Sequence, residues 1–224
     1  MLRLSKTQRR VAISVIVPCA SVHLPHVPEL LSALAEQTAH PDEIVISVSG
    51  VRQWQPPSAN YPFAVHVVVS EDPLFAGANR NRAAGASRGD VLVYNDADDL
   101  PHPQRIEIIK KIFEQSDADH VMHGFSPVKK QSEVARWKRV RFDVRASLLR
   151  ADYRIYQFDT KLTNGNVATT RRVFESVSWD EDKRRAQDVH YNRTVCDQFS
   201  ATMAIIPDEL LAYRQKLSTK RLVT

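Results

Sequence analysis

The chain has 224 residues, 43% hydrophobic and 25% charged with only 6 glycines, which excludes collagen-like, low-complexity and disordered classes and suits one globular domain. Its two cysteines, Cys19 and Cys196, form no CxxC or CxxH pattern, so neither a disulfide framework nor a zinc site is expected. The net charge of +5 is uneven: residues 127–150 carry eight basic side chains against Glu133 and Asp143, a local excess of six.

Residues 1–10 form a basic N-terminal extension with Arg3, Lys6, Arg9 and Arg10. The apolar run that follows, 11–20, is broken by Ser14 and Pro18 and falls short of the roughly 20 residues a bilayer requires. It also lacks a small-residue cleavage site, so no signal sequence or transmembrane segment is read and a cytoplasmic location is expected. Residues 12–17 are β-branched and apolar, as in a strand buried on both faces of a parallel sheet, and Pro18 ends it. A helix follows, with Pro28 in its first turn and Leu30, Leu31 and Leu34 as its apolar stripe.

Residues 43–48 are the next strand, 50–62 a proline-bearing loop, and 65–69 a third strand. Residues 77–87, rich in Ala and Asn, predict a helix whose small side chains allow close approach to a sheet. Gly89 turns the chain into a fourth strand, 91–94, which delivers Asn95, Asp96, Ala97, Asp98 and Asp99 at its carboxyl end. In open α/β sheets that end is where ligands bind. Pro103 opens a helix marked by Ile106, Ile109, Ile112 and Phe113, with His102 shaping its start, and 120–124 is a further strand.

The basic stretch 127–150 comes next. A solvated face accounts for such charge, and so does attraction for an anionic partner; no nucleic-acid-reading motif accompanies it, so nucleic acid is not expected. Strands at 167–170 and 202–206 flank a helix at 186–198 whose Val189, Val195 and Phe199 are expected to face the core. The alternation predicts a single α/β domain, Rossmann-like, with a mostly parallel central sheet flanked by helices.

Asp96, Asp98 and Asp99 would repel one another unless a cation or proton compensates them. Oxygen-only ligation favours Mg²⁺ or Mn²⁺, with substrate phosphates completing the shell. The alternative is that Asp99 caps the next helix and the other two are solvated.

With these residues in place the chain resembles the family 2 glycosyltransferases of the GT-A fold, from about Ile13 to Ser218. The matching segments run in order: Ser14-Val15-Ile16-Val17-Pro18; Gln37-Thr38 with Pro41-Asp42-Glu43-Ile44; Arg80-Asn81 with Gly89-Asp90; and Asn95 to Asp99 where the family has its DxD. Downstream, Gly165-Asn166-Val167, Arg171-Arg172-Val173-Phe174 and Trp179-Asp180-Glu181 resemble the segment before the family's catalytic base, and Gln187-Asp188 stands where a Glu-Asp pair is usual. The resemblance implies inverting transfer of a sugar from a nucleotide donor to the hydroxyl of a carbohydrate or glycan acceptor, one that carries negative charge if the basic stretch meets it. Asp188 is then the general base, and Asp96 and Asp98 hold the ion, with His190 as a third candidate ligand. Residues 11–124 form the nucleotide-sugar-binding half and 125–224 the acceptor half.

Donor contacts implied by the resemblance fall on Pro18, Ser49, Asp72, Asn79 and Arg80, then on Asn95, Asp96, Ala97 and, in the closing segment with Tyr213 and Ser218, Arg214. Lys216 is a further phosphate candidate, while Trp137 and Trp179 are candidates for stacking on a sugar. One departure bears on the nucleotide: Val48-Ser49-Gly50 replaces the acidic residue that holds the base, leaving Ser49 and Asp72 as substitutes. Two other classes compete. A dehalogenase-type phosphatase would carry its DxD after the first strand, not the fourth; a GT-A module that binds nucleotide or glycan without catalysis would explain the altered Ser49 position.

Overall fold

The computed structural model describes residues 9–128, 137–144, 149–150, 165–199 and 202–214. Residues 129–136 and 145–148 of the basic stretch, residues 1–8 of the N-terminal extension, Lys216 and Ser218 lie outside them. The described strands are β1 (Ile13–Ala20), β2 (Glu43–Ser49), β3 (Ala64–Ser70), β4 (Val91–Tyr94), β5 (Leu100–Pro101), β6 (His120–Pro127), β7 (Leu149–Arg150), β8 (Ala168–Thr170) and β9 (Met203–Tyr213). The helices are α1 (Val27–Ala35), α2 (Ala76–Ala86), α3 (Arg105–Gln115), α4 (Arg171–Ser176) and α5 (Gln187–Phe199), with a 3₁₀ turn at Ser21–His26.

The sheet runs β3-β2-β1-β4-β8-β6-β9-β5, and β7 pairs with β9. The long ladders, β3 with β2, β2 with β1, β1 with β4 and β6 with β9, are parallel. Shorter antiparallel ladders join β8 to β4 and β6, and β5 and β7 to β9. β1 and β2 are buried along nearly their whole length, so both of their faces carry β-branched residues. Alternation sends Val15, Val17 and Ile46 into one core with α1 and α3, and Ile16, Val45 and Leu92 into the other with α2 and α5. The chain winds outward from β1 to β3 and then returns to β4 on the other side of β1. The ends of β1 and β4 therefore flank a topological switch point, where ligands gather in such sheets.

The starts of these strands are locked together by Glu43. Its buried carboxylate accepts from Ser14 Oγ (2.6 Å) and from the Arg88 amide (2.5 Å). Burial alone would raise its pKa, but these bonds and His66 hold it below the usual carboxylate value.

Sequence and structure differ in several places. β1 does not end at Pro18 but runs on to Ala20, because its ladder with β4 stops at Ile16 and Pro18 pairs only with β2, so its missing N–H is tolerated. The short strand β5 and the helix α4 were not expected either. β9 extends through Pro207, Asp208 and Glu209 to Tyr213, and β6 runs on beside it past register shifts around Gly124. Pro207 and Asp208 fall between the pairings of Ile206 and Glu209, so the apolar pattern stops there while the pairing resumes beyond the bulge. Val189 is 37% exposed, a correction to its expected place in the core. The buried face of α5 is set by Tyr191, Asn192 and Val195, and a residue two before Tyr191 lies about 200° away around a helix. The side chain of Phe199 lies outside the described residues. The turn Ser21–His26 between β1 and α1 had no counterpart in the sequence reading.

Gly89 donates its amide to Ser14 Oγ at 2.7 Å, and a Cβ there would stand 2.4 Å from that oxygen and 2.6 Å from the Ser14 nitrogen. Gly89→Ala is expected to destabilise the protein by about 1–3 kcal/mol, the usual range for overpacking. Urea denaturation will measure it, and an unchanged midpoint would show that the strand starts are not locked as described.

Candidate active site at the carboxyl end of the fourth strand

The chain leaves β4 through a tight turn held from inside. Asn95, fully buried, donates its side-chain amide to the carbonyls of Asp96 (2.8 Å) and Asp99 (3.1 Å), and the Asp99 amide returns to the Asp96 carbonyl (3.1 Å). Beneath it lies Arg105 at 0% exposure. Its guanidinium donates to Asn95 Oδ1, the carbonyls of Tyr94 and Asn166, and His123 Nε2, at 2.8–3.1 Å. Burial pushes the Arg105 pKa down to about 9, against the pull of Asp99 and Asp96. Burial, then the charge of Arg105, pushes His123 down to about 3. His123 is thus a neutral acceptor at Nε2, and its Nδ1 proton goes to the Gly124 carbonyl (2.9 Å).

Each of the three carboxylates has a different environment. Asp96 Oδ1 accepts from Arg80 Nη2 at 2.6 Å, and the Asp96 amide donates to Asn166 Oδ1 at 2.9 Å. Asp99 is 1% exposed and accepts from Asn166 Nδ2 (3.1 Å) and the Arg214 amide (3.0 Å). Burial first, then the charges of Asp96 and Asp98, push its carboxyl well above the usual range. Asp98 is raised for the same two kinds of reason, burial and Asp96, with His23 and His26 opposing the rise. His23 Nδ1 stands 3.6 Å from Asp98 Oδ2.

Three consecutive residues of α2 point from this turn in three directions. Asn79 donates to Ser49 Oγ (2.9 Å) and accepts from Ser47 Oγ (2.9 Å), which fixes the end of β2. Arg80 reaches Asp96 and also donates to Gln187 Oε1 at 3.1 Å, with its guanidinium 4.4 Å over the Trp179 ring. Asn81 brackets Trp179, donating to its carbonyl and accepting from its amide, both at 2.9 Å. Trp179 also stacks on Tyr191 with centroids 4.0 Å apart and planes 6° apart. At 1% exposure, with both faces covered, it is a core residue that positions Arg80, which corrects the sugar-stacking expectation.

The remaining expected residues are distributed as follows. Asp188 lies in the first turn of α5 beside Gln187, and burial first, then the charges of Asp99, Asp96, Asp98 and Asp188, raises the phenol of the half-buried Tyr213. His190 Nε2 is 3.8 Å from Asp180 Oδ2. Arg214, 5% exposed, clamps Glu29 of α1 through two bonds of 2.9 and 2.8 Å. Ser49 is 1% exposed beneath Asn79, while Asp72 is exposed and its carbonyl accepts from the Gly50 amide (3.3 Å). Pro18 pairs with Ser47 within the sheet, and Ala97 is buried. His102 Nδ1 accepts from the Gln104 amide (3.0 Å), so it does shape the start of α3, and it meets Trp137 edge-on at 4.9 Å. Lys138, Arg139 and Arg141 are exposed, the Lys138 carbonyl meets His102 Nε2 at 3.0 Å, and a concavity of ≈ 580 Å³ is lined by Lys111, Arg139, Arg141 and Phe142.

Reading the sequence missed His23, Arg105 and Glu29. Arg105 and Glu29 look like ordinary first-turn helix residues, and His23 lies in a turn without a motif. Among the described residues no three His, Cys, Asp or Glu side chains are arranged to enclose a metal ion. The donors do suit a hard divalent ion that takes one or two carboxylates and completes its shell from phosphate and water, since Asp96 and Asp98 stand two residues apart in one turn at the carboxyl end of β4.

The family model described as "Glycosyl transferase family 2" matches residues 14–180. A Haemophilus influenzae protein described as an uncharacterized glycosyltransferase is 32% identical over 104 residues, 46% of this chain and 35% of that protein, so the chain spans about a third of that relative. Among solved structures, S. aureus TarS 1–349 in complex with UDP-GlcNAc is similar with a TM-score of 0.69 at 15% identity, covering 93% of this chain and 61% of that one. Mannosyltransferase PcManGT from Pyrobaculum calidifontis, in complex with GDP-Man and Mn²⁺, gives 0.59 at 18%, covering 92% and 57%. Glucosyl-3-phosphoglycerate synthase from Mycobacterium tuberculosis, in complex with Mn²⁺, UDP and phosphoglyceric acid, gives 0.58 at 16%, covering 92% and 72%.

A carboxyl whose pKa rises on folding weakens the fold at pH values above its unfolded pKa, so removing the Asp98 charge should strengthen the metal-free protein near pH 7. Asp98→Asn is expected to raise Tm in chelator by roughly 2–4 °C, the shift about 1 kcal/mol produces at this chain length. It should also abolish any further rise on adding Mn²⁺. Scanning calorimetry reads both; a lowered Tm in chelator would contradict the electrostatic account.

Proposed function

The chain belongs to glycosyl transferase family 2, and on that premise we propose that it transfers a sugar, with inversion, from a nucleotide-sugar donor to an acceptor hydroxyl, using Mn²⁺ or Mg²⁺ and Asp188 as general base. The observation that carries the reading is Arg80, whose one guanidinium binds both Asp96 and Gln187 and so sets the residue before Asp188 beside the carboxylate turn.

The donor is proposed to lie over the switch point. Pro18, Ser49 and Asn79 form its floor, exposed Asp72 offers a carboxylate to base or ribose, and Asn95, Asp96 and Ala97 border the diphosphate. Asp96 and Asp98 would hold the divalent ion, which when bound neutralises charge growing on the departing diphosphate. His190 as a ligand would have to leave the neighbourhood of Asp180, and Arg214 would have to loosen Glu29 to reach phosphate oxygens. Asp188 takes the proton of the acceptor hydroxyl as that oxygen attacks the anomeric carbon from the face opposite the nucleotide. Arg80 orients Asp96 through its 2.6 Å bond and orients Gln187, the neighbour of Asp188, through its 3.1 Å bond.

The acceptor is proposed to be a carbohydrate or glycan that carries negative charge, met by the exposed Lys138, Arg139 and Arg141, and the protein to act in the cytoplasm. No helix among the described residues is long and apolar enough to cross a membrane. A non-catalytic nucleotide- or glycan-binding module is the second reading, favoured by Ser49, whose buried hydroxyl already bonds Asn79 and replaces the usual acidic contact to the base.

Two experiments separate the readings. A panel of nucleotide sugars and free nucleotides, with and without Mn²⁺, should stabilise the protein by about 2.7 kcal/mol at 100 times Kd for one nucleotide class. Stabilisation by none would remove the donor site altogether. Once donor and acceptor are found, Asp188→Asn should reduce transfer by about 10²–10⁴ while donor binding stays within twofold, the loss expected of a general base. Full transfer by that variant would eliminate Asp188 as the base.

A further inference from the structure

His23 occupies the middle of the 3₁₀ turn that β1 runs into directly, and its ring leans toward the carboxylate turn. His23 and His26 are three residues apart, which in a 3₁₀ helix places them on one side, and both act on the charge of Asp98. The contact between His23 Nδ1 and Asp98 Oδ2 is 3.6 Å, beyond the 2.7–3.2 Å typical of an N–H···O hydrogen bond. Both side chains are largely sheltered, at 17% and 12% exposure, so little water is available to bridge them. Two donor atoms that share one ion at about 2.1 Å each stand no more than about 4.2 Å apart, and this pair falls within that limit.

We propose that His23 Nδ1 is a ligand of the divalent ion held by Asp98 and that it sets the ion preference of the site, favouring Mn²⁺ and Co²⁺ over Mg²⁺. The inference rests on the reading that an ion binds at this turn; His23 and Asp98 would be its direct protein ligands, with phosphate and water completing the shell, since no three such side chains among the described residues enclose an ion. Its chemistry is that of the donor atoms. Carboxylate, phosphate and water oxygens suit Mg²⁺ as well as Mn²⁺, whereas an imidazole nitrogen adds little for Mg²⁺ and progressively more along the first-row series from Mn²⁺ to Co²⁺. A site whose protein ligands are carboxylates alone has no such lever. Because β1 and β4 are adjacent and parallel, the turn that carries His23 and the turn that carries Asp98 leave the sheet at the same edge.

Binding of each ion alone to the full chain provides the test, with Mn²⁺ read by electron paramagnetic resonance and Co²⁺ and Mg²⁺ by calorimetric competition. His23→Ala should weaken Mn²⁺ and Co²⁺ by at least about 10-fold, the smaller loss seen when partners of a metal site are removed. Mg²⁺ should change by less than about twofold if nitrogen ligation is the cause. Asp98→Ala should weaken all three ions. If Asp98→Ala does so while His23→Ala leaves Mn²⁺ and Co²⁺ unchanged, the role of His23 is overturned and the metal reading stands. If neither variant matters, the metal reading itself falls. Equal losses for Mg²⁺ and Mn²⁺ in His23→Ala would show a charge or folding effect and also overturn ligation. Should His23→Ala fail to fold, selective Mn²⁺ broadening of the His23 ring resonances in the unaltered protein decides the matter, and its absence at saturating Mn²⁺ rejects the proposal.

Discussion

Three carboxyl groups on residues 96, 98 and 99 crowd the end of a buried strand, and their mutual repulsion has to be countered before any substrate arrives. The protein does this with separate devices: a guanidinium for Asp96, an amide side chain and a backbone amide for Asp99, and the His23 ring, 3.6 Å away, for Asp98. Arg105 works from below, holding the strand end and the facing segment at Asn166 through acceptors that carry no formal charge. A buried cation bonded only to neutral groups costs folding energy, and the carboxylates above it offset part of that cost. The two halves of the problem therefore compensate each other.

The fold supplies the stage on which this balance sits. Crossing back from β3 to β4 opens the cleft between the ends of β1 and β4, and α2, made of small residues, lies close enough to the sheet for Asn79 and Arg80 to reach strand ends directly. Gly77 makes the approach of the Trp179 loop feasible, since a Cβ there would lie 2.2 Å from the Asp180 carbonyl. Trp179 and Tyr191 then form a rigid stack behind Arg80, so one side chain on α2 joins the carboxylate turn to the head of α5.

The elements that could be read from sequence are those whose signal is local. The both-face apolar runs of β1 and β2 and the position of Asn95 to Asp99 at the end of β4 are of this kind, because pattern and turn residues determine them. What escaped depends on partners distant in the chain. Nothing in the vicinity of Trp179 says that Arg80 and Tyr191 will cover its faces, and an arginine at the first turn of α3 looks solvated until Tyr94, Asn95, His123 and Asn166 are brought around it. β9 outran its apolar segment because its backbone pairing with β6 resumes at Glu209, past the bulge at Pro207 and Asp208. His23 is the sharpest case: a histidine in a short turn has no signature, and it gains meaning only from the parallel pairing of β1 with β4.

The Arg80 junction also constrains which sequences can replace this one. Its guanidinium touches Asp96, Gln187 and Trp179, and a Cβ on Gly165 would lie 2.4 Å from its Nη2. Residues that share a partner do not contribute independently, so changes at these five positions will be strongly epistatic. Restoring the family's acidic residue at 187 would set a second carboxylate competing for the charge that Asp96 now holds alone. The effect of such a change would therefore depend on what stands at positions 80 and 96, and could not be inferred from position 187 alone.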